Sequence, residues 1–351
     1  MTIRKNSYDL LRILATVAVI TIHVSANYII AITDSGWFGT LYSENFFATS
    51  LFNLWSRFAV PAFIMLSGAL ALDNPQNKDY KNYYKKTFIN IGVGTLIFSA
   101  LYFLYGLMMG FASNVRQGSF SYEFVLGGGT SNLLIGKPFA HMWYLYMMAG
   151  VFFLVPWIIR IREEVGNKIF DKFAIVFFIT STIGLYTSTH ELMWDPGLSY
   201  GYLGYFMMGF VIKKNFKEEK GWKPLALILV GFLILTIVAY FRFLQGTKGI
   251  ADSDIKYTLV EPSSPIIAVA SILIFIGFTK LHFNVDLTRI SKLCFEIYLV
   301  HAGIWNILLR FVTLEMDNRV VIPVMVVVVF ILSLLFAVMW KKIMKKLLKL
   351  E

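Results

Sequence analysis

The chain has 351 residues, of which 57% are hydrophobic and 15% are charged, and its mean hydropathy is +0.66. Soluble domains are about 45–50% apolar and about 25% charged, so this composition excludes a water-soluble globular core. The formal net charge is +11, but the lysines and arginines cluster between apolar runs, where they indicate topology and not a nucleic-acid partner. Cys294 is the only cysteine, which excludes a disulfide framework and a cysteine-based metal site.

Ten apolar segments of spanning length follow one another along the chain, separated by polar stretches. The chain is therefore predicted to be an all-α polytopic membrane protein with about ten transmembrane helices and one domain over residues 1–351. The fifth and sixth segments are shorter than the roughly 20 residues that span a bilayer, so tilted, hairpin and re-entrant arrangements stay open, with nine or eleven spans as alternatives. The predicted segments are 8–31, 46–72, 88–109, 140–159, 173–188, 198–212, 224–243, 264–279, 290–311 and 320–340.

Most of the 32 basic residues fall in connections that share one side of the membrane with both chain ends. The positive-inside rule then places the N-terminus and the C-terminus in the cytoplasm. The first segment is longer than a signal-peptide core and lacks a small-residue cleavage site, so it is predicted to be a retained span. Long polar connections near 110–139 and 244–263, on the opposite side, are typical of lids or entrances. His190 and His282 fall in predicted loops and are expected to be solvated.

The first segment carries two ionisable residues at membrane depth, where such groups usually face a bundle interior or a watery cavity. Arg12 and His23 are eleven residues apart, almost three helical turns, so both lie on one face about 16 Å apart along the axis. Asp9 precedes Arg12 by three residues and is expected to hold its guanidinium. An imidazole titrates near neutrality and suits proton transfer, although an interfacial Arg12 and a purely structural His23 are the alternatives.

The second segment carries a buried cation next to a predicted kink. Arg57 lies deep in the apolar run, and Pro61, four residues later, has no N–H to donate to the Arg57 carbonyl. A kinked helix with a buried arginine indicates a wall that binds an anion or a carbonyl, although an arginine paired with a structural carboxylate is the alternative. Ser67, which precedes Gly68, is a further candidate for binding.

Two later segments add polar and aromatic candidates. The fourth opens with His141 and Trp143, which serve either in binding or as anchors in the interfacial aromatic belt. The ninth contains Glu296, Tyr298 and His301; the five-residue separation of Glu296 and His301 directs them to different faces, so either can meet the first two helices. A catalytic or proton-relay role and a structural helix-bridging role both stay open for this pair.

Four of these segments, in the same order, resemble parts of the acyltransferase-three family of membrane acyltransferases. The opening helix of that family is similar to the frame Tyr8 to Ala15, with ten residues between Arg12 and His23. The other parts are a second-span run ending in Ser-Gly, a His-x-Trp-aromatic-Leu motif and a late Tyr-x-x-His helix. They correspond here to Arg57 to Gly68, His141 to Leu145 and Ser291 to His301, so the resemblance spans most of the chain.

The resemblance implies transfer of an acyl group, most often acetyl from cytoplasmic acetyl-CoA, to a hydroxyl of a sugar or other cell-envelope acceptor. His23 would take the hydroxyl proton or be transiently acylated, and the residues leave both routes open. Arg12 would handle the donor, and Arg57 or Tyr298 would stabilise the developing oxyanion. The predicted catalytic residues are His23, Arg12, Arg57, Glu296 and His301, and the predicted substrate- or donor-binding residues are Asp9, Trp143, Tyr298, His141 and Ser67.

The resemblance also sets the expected cofactors, partners and location. No metal and no tightly bound cofactor are expected, and acetyl-CoA or another acyl-CoA is the donor substrate. The expected partners are the lipid bilayer, acyl-CoA and an envelope glycan or lipid-linked sugar, without nucleic acid, and the expected location is the bacterial cytoplasmic membrane. Buried His, Arg and Glu groups also suit a gate and proton relay, so a transporter or exporter of a small polar solute or polysaccharide is the alternative function.

Overall fold

The structure is a computed structural model that describes residues 5–34, 40–117, 138–187, 196–247, 264–312 and 317–347. Over these residues the chain forms thirteen α-helices and no β-strand, which confirms the all-α prediction. Most of both long polar connections, and His190, lie outside the described residues. The helices are α1 Asn6–Asp34, α2 Thr40–Ser56, α3 Ala59–Ala71, α4 Tyr80–Thr87, α5 Val93–Gln117, α6 Trp143–Val165, α7 Asn167–Thr187, α8 Pro196–Asn215, α9 Lys223–Thr247, α10 Pro265–Lys280, α11 Thr288–Ser291, α12 Cys294–Leu308 and α13 Asn318–Leu347.

Six helical stretches among the described residues are long and apolar enough to cross a membrane. Two shorter apolar helices, α10 and α12, coincide with the eighth and ninth predicted segments. Helices α7 and α8 are 21 and 20 residues long, longer than predicted, because each includes polar residues such as Asp171 and Lys213 at which the apolar segments stopped. The count of ten spans and the cytoplasmic placement of both chain ends stay predictions. The six stretches are Asn6–Ile30, Glu44–Ala71, Tyr80–Ala112, Trp143–Val165, Lys223–Gln245 and Asn318–Lys346.

Large apolar side chains cover the outward faces of these helices. In α6, Phe153, Trp157 and Ile161 follow one another at four-residue intervals, and each is more than half exposed. Along Tyr80–Ala112 only 17% of the most apolar window is buried inside the protein, so most of its apolar surface must meet a non-aqueous solvent. Water-soluble monomers rarely expose apolar surface to this extent. The chain is therefore a multi-pass membrane protein.

The chain divides into two compact units, of which the first comprises Met1–Leu70 and Tyr205–Glu351. Helix α1 lies at the centre of this unit, in contact with α2, α10, α11, α12 and α13. Val24 of α1, Ile297 of α12 and Ile322 of α13 are fully buried in one shared apolar core. A polar side chain on α1 is therefore surrounded by other helices on several sides, which is the usual setting of a functional group at membrane depth.

Glycines bring two other helices of the first unit into backbone contact. A Cβ added at Gly68 of α3 would overlap the carbonyl of Phe206 of α8, and one added at Gly209 would overlap the carbonyl of Met65. Small residues at such crossings are typical of helix packing in membranes, because they let two backbones approach closely. Helix packing therefore requires glycine at position 68, independently of any role of Ser67.

The predicted kink in the second segment is confirmed as a break. Helix α2 ends at Ser56 and α3 begins at Ala59, with Arg57 and Phe58 in the turn between them. The Arg57 N–H donates to the Leu54 carbonyl at 3.0 Å, a tighter i to i−3 bond than an α-helix makes. Pro61 supplies no N–H to the Arg57 carbonyl, so the helical ladder is interrupted where the arginine lies.

An ionic cluster joins the connection before α9 to the end of α10. The Glu219 N–H donates to the Lys280 carbonyl at 2.7 Å, and the Glu219 carboxylate lies 2.7 Å from Lys280 Nζ and 3.3 Å from Lys223 Nζ. Hydrogen bonds from Lys280 and Lys223 hold the pKa of the Glu219 carboxyl below its ordinary value. His282 follows this cluster, exposed and 2.8 Å from Glu218, so its predicted loop position is confirmed.

The second unit, Ala71–Gly204, contains α4 to α7 and the first half of α8. Asp79 starts α4 by accepting a hydrogen bond from the Asn82 N–H at 3.3 Å. A π-helical turn, Phe88–Gly92, joins α4 to α5. Gly166, with φ of 78°, ends α6, and α7 begins at the next residue.

Candidate active site in the first unit

Arg12 lies in a three-membered polar cluster between α1 and α11. Its Nη1 donates to Ser291 Oγ at 2.9 Å and lies 3.5 Å from Asp9 Oδ1, and the Ser291 hydroxyl donates to the same Asp9 oxygen at 2.6 Å. Asp9 and Ser291 are almost completely buried, whereas the Arg12 side chain is 26% exposed. The predicted Asp9 and Arg12 pair is confirmed. The cluster holds a cation at the start of the first span with one edge still accessible.

His23 meets a second histidine on α12. Its ring centroid lies 5.2 Å from that of His301, with the two planes inclined by 50°. His301 Nδ1 lies 2.6 Å from the Tyr298 carbonyl oxygen, and the Tyr298 ring is 5.5 Å away. Since a carbonyl only accepts, the proton of a neutral His301 ring is on Nδ1, and Nε2 carries the lone pair. Two imidazoles are therefore adjacent, and one has its tautomer set by the backbone.

Helices α1 and α12 run parallel, and this explains why the two clusters form together. His23 contacts His301, and one turn later on both helices Asn27 Oδ1 accepts from Trp305 Nε1–H at 2.9 Å. The contacts advance by four residues on each helix, from His23 to Asn27 and from His301 to Trp305, so the two helices are in register there. Arg12 faces α11, and His23 faces α12, which begins three residues after α11 ends. Both residues thus contact one continuous segment of the chain, as expected of residues that share one helix face.

A third polar group approaches His23 from the break between α2 and α3. The Arg57 Nε–H donates to Asn53 Oδ1 at 3.0 Å, and Asn53 Nδ2 donates to Ser25 Oγ at 2.9 Å. Ser25, where this chain of hydrogen bonds reaches α1, is two residues beyond His23. Two imidazoles and a tyrosine thus meet where α12 packs on α1, and a hydrogen-bonded chain from Arg57 reaches the same part of α1 from α2.

Glu296 is directed elsewhere. Its Oε1 lies 3.6 Å from Lys341 Nζ on α13, and the same ammonium donates to the Lys292 carbonyl at 2.7 Å. Of the two α12 residues expected to reach the first two helices, His301 does so, whereas Glu296 joins α12 to α13. The five-residue separation explains this, because it turns the two side chains to different sides of α12.

The remaining predicted residues have other neighbours in the contacts that the structure gives them. His141 is buried in the second unit against the rings of Phe139 and Tyr102, at 5.8 and 5.4 Å between centroids. Trp143 begins α6 and packs 5.9 Å from Tyr202. Ser67 is half-buried on α3, beside the close crossing of α3 with α8.

A shallow, open hollow with basic lining lies in the second unit. Its volume is about 210 Å³, and Asn82, Lys85, Lys86, Ile89 and Asn90 line it. Pockets for drug-sized ligands measure about 300–1,000 Å³. Among the described residues, no three His, Cys, Asp or Glu side chains are grouped so that they could hold a metal ion.

Three site residues were missing from the sequence-based prediction. Ser291 completes the Arg12 cluster, and Asn53 and Ser25 connect Arg57 to α1. Two signals were available in the sequence. Asn53 precedes Arg57 by four residues, one helical turn, and the ten-residue step from Ser291 to His301 nearly repeats that from Arg12 to His23.

Comparison with known protein families gives one match of nearly full length. A model of the acyltransferase-three family, described as an acyltransferase domain, matches residues 5–338. This range includes all four segments on which the resemblance rests and draws on both compact units. Neither a curated protein nor a solved structure matches the chain at significant similarity.

Proposed function

Because the chain belongs to the acyltransferase-three family and is an acyltransferase, we propose that it moves an acetyl or other acyl group from cytoplasmic acyl-CoA to a hydroxyl of an envelope glycan or lipid-linked sugar. The membrane would be a bacterial cytoplasmic membrane, and residues 1–351 would act as one catalytic domain. The observation that carries this proposal is the contact of His23 with His301, on the part of α1 that the hydrogen-bonded chain from Arg57 reaches at Ser25. Membership of an acyltransferase family favours this enzyme over the transporter.

His23 is the proposed general base. A hydroxyl is a poor nucleophile at neutral pH, so its proton must leave as its oxygen attacks the thioester carbonyl carbon. His23 takes that proton, the carbon–oxygen ester bond forms, and the carbon–sulfur bond then breaks. The proton passes from His23 to the departing thiolate, which leaves as the thiol of CoA.

His301 supports this transfer through its fixed tautomer. With Nδ1–H donated to the Tyr298 carbonyl, the Nε2 lone pair of His301 is the basic position of the ring. A proton gained by His23 is then next to a second base, which lowers the cost of holding charge at membrane depth. The same pair suits a second route, in which one imidazole attacks the thioester and carries the acyl group before the hydroxyl accepts it.

Arg57 is the proposed stabiliser of the oxyanion, and Tyr298 is the second candidate. Negative charge develops on the carbonyl oxygen of the donor, and fixed donors or cations around that oxygen lower the barrier. The break before α3 supports this role, since interrupted helices at membrane depth are found where they line a binding site. The first N–H groups of α3 also carry partial positive charge, so they add to the stabilisation of the oxyanion by the Arg57 guanidinium.

Arg12 is the proposed anchor for the donor, about three turns from His23. An acyl-CoA carries its phosphates and its thioester at opposite ends of a long flexible arm. The partly exposed Arg12, held by Asp9 and Ser291, is suited to the charged end while His23 meets the thioester. Roles for Glu296 in catalysis and for His141, Trp143 and Ser67 in binding stay predictions.

Acyl transfer by purified protein tests the proposal. With labelled acetyl-CoA and lipid-linked or polymeric glycan, we expect transfer or slow hydrolysis of acetyl, and His23→Ala should lose at least about 100-fold in rate, because general base catalysis is worth about 10² to 10⁴. His282→Ala is the matched control, since His282 is exposed in a connection and pairs with Glu218. Full activity in correctly folded His23→Ala would contradict the assignment.

The two chemical routes are separated by trapping. After acid quenching of a reaction without acceptor, intact mass measurement should show an added acetyl group only if an acyl-histidine forms. His301→Ala and His23→Ala then identify the acylated ring. Uptake of the acceptor into proteoliposomes without any dependence on acyl-CoA would instead favour the transporter.

A further inference from the structure

A buried chain of side-chain hydrogen bonds leads from the break between α2 and α3 into α1. Arg57 Nε donates to Asn53 Oδ1 at 3.0 Å, Asn53 Nδ2 donates to Ser25 Oγ at 2.9 Å, and Ser25 Oγ donates to the Thr21 carbonyl at 2.7 Å. Asn53 is 1% exposed and Ser25 is fully buried. Ser25 is two residues beyond His23 on α1.

The direction of every bond in this chain is determined by the chemistry of its two ends. A guanidinium only donates, so the amide oxygen of Asn53 must face Arg57 and its NH₂ must face Ser25. The single hydroxyl proton of Ser25 goes to the Thr21 carbonyl, which only accepts, so Ser25 must accept from Asn53. The amide of Asn53 therefore has one orientation, and removal of either neighbour leaves a buried polar atom without its partner.

The Arg57 side chain is long and lies at the break between α2 and α3, so its guanidinium keeps one position only if a hydrogen bond holds it. An arginine loses about 2 kcal/mol of rotamer freedom when it is held in one position, and the break at Phe58 removes the regular helix on its C-terminal side. The bond to Asn53, one turn earlier on α2, orients the guanidinium relative to α2. The bond from Asn53 to Ser25 then fixes α2 relative to the part of α1 that bears His23.

We propose that Asn53 and Ser25 are positioning residues that fix the Arg57 guanidinium relative to the part of α1 that bears His23, so that Arg57 meets the oxyanion of the acyl-transfer intermediate. The proposal rests on the function proposed above. Neither residue touches the reacting atoms, and both act through Arg57. Displacement of a catalytic group by about 1 Å can cost about 100-fold in rate, so loss of either bond should lower kcat and leave the donor KM nearly unchanged.

Kinetics of single and double variants test this proposal. Asn53→Ala and Ser25→Ala should each lower kcat at least tenfold. The double variant Asn53→Ala with Arg57→Ala should be no slower than Arg57→Ala alone, because residues that act as one unit have non-additive effects. If the fold loss of kcat in the double variant equals the product of the losses in Asn53→Ala and Arg57→Ala, the two residues act independently, and the proposal is overturned.

Thr49→Val is the matched control for a purely structural bond. Thr49 lies one turn before Asn53 on α2, is fully buried, and accepts a hydrogen bond from Asn318 Nδ2 of α13 at 2.8 Å. Thr49→Val removes one interhelical bond of the same kind and should leave kcat within about twofold. A kcat for Asn53→Ala equal to that of Thr49→Val would overturn the positioning role.

Two outcomes separate this proposal from the function on which it rests. If His23→Ala and Arg57→Ala keep full activity, the proposed function itself fails. If both lose activity while Asn53→Ala and Ser25→Ala do not, only the positioning role fails. Should Asn53→Ala not fold, Ser25→Ala decides in the same way, since it retains the bond between Asn53 and Arg57.

Discussion

A single hydroxyl decides how Arg12 is held. Ser291 accepts from the guanidinium and donates to Asp9, so one oxygen satisfies two ionised groups that are themselves 3.5 Å apart. The Asp9 carboxylate is buried, and its attraction to the partly exposed Arg12 at that distance compensates poorly for the loss of hydration, so the additional hydrogen bond from Ser291 is what makes the buried charge tolerable. At the scale of single residues, the donor anchor is thus a triad.

Ser291→Ala should weaken both the fold and the donor site. We expect the free energy of unfolding to fall by about 0.6 to 1.7 kcal/mol, the range measured for side-chain hydrogen bonds between membrane helices. The KM for the acyl donor should rise because Arg12 loses its 2.9 Å partner. Denaturant unfolding in detergent and initial rates against donor concentration measure the two effects.

Thr180→Ala is the control for Ser291→Ala. Thr180 is exposed on α7, and its hydroxyl donates to carbonyls of its own helix, those of Val176 and Phe177, both at 3.1 Å. Removal of the Thr180 hydroxyl should change neither the free energy of unfolding nor the KM for the acyl donor. An unchanged donor KM in Ser291→Ala would show that Arg12 is held without the serine.

At the scale of elements, the crossing of α3 and α8 depends on the absence of a side chain. Gly68 and Gly209 each lie against a backbone carbonyl of the other helix, so any Cβ there forces the helices apart. Helix α3 follows the break that carries Arg57. Its packing therefore helps to fix the position at which α2 ends.

Gly68→Ala is expected to destabilise the protein by about 1 to 3 kcal/mol, the usual cost of overpacking. Gly106→Ala on α5 is the opposite control. No heavy atom lies within 4 Å of a Cβ added at Gly106, and alanine is the better helix former, so this change should be neutral or stabilise by up to about 1 kcal/mol. Thermal unfolding followed by intrinsic fluorescence compares the two, and an equal midpoint for both variants would refute the crossing argument.

At the scale of the whole molecule, basic residues predict which side of the membrane each connection faces. Lys280, Arg289 and Lys292 lie in the connection before α12, so this connection is predicted to be cytoplasmic. The connection after α12, which contains the 82% exposed Phe311, is then predicted to face the other side.

Cysteine labelling tests this orientation. Cys294 is buried and is the only cysteine of the chain, so Cys294→Ser gives a background without thiols. On that background, we expect Phe311→Cys to react with a membrane-impermeant maleimide added to intact cells, and Asn284→Cys to react only after the membrane is opened. The reverse pattern would invert the predicted topology and remove the cytoplasmic donor from the proposed function.

The sequence by itself determined the all-α membrane class, the family, the shared face of Arg12 and His23, the Asp9 and Arg12 pair and the break near Pro61. The family follows from the resemblance of four ordered segments, and the other features follow from local quantities: hydropathy, helical periodicity, an i to i+3 contact and the missing N–H of proline. Within one helix, the number of residues between two side chains fixes their distance along the axis and the angle between them, so a motif inside a helix can be interpreted from the sequence alone.

Only the tertiary structure decided which distant residues meet. His301 contacts His23 from 278 positions away because α12 runs parallel to α1, and Ser291, at the end of α11, reaches Arg12 across a similar separation. Glu296, equally polar and closer to Ser291 in the chain, turns to Lys341 instead. The register and rotation of packed helices depend on the side chains of the whole core, and no local pattern encodes them.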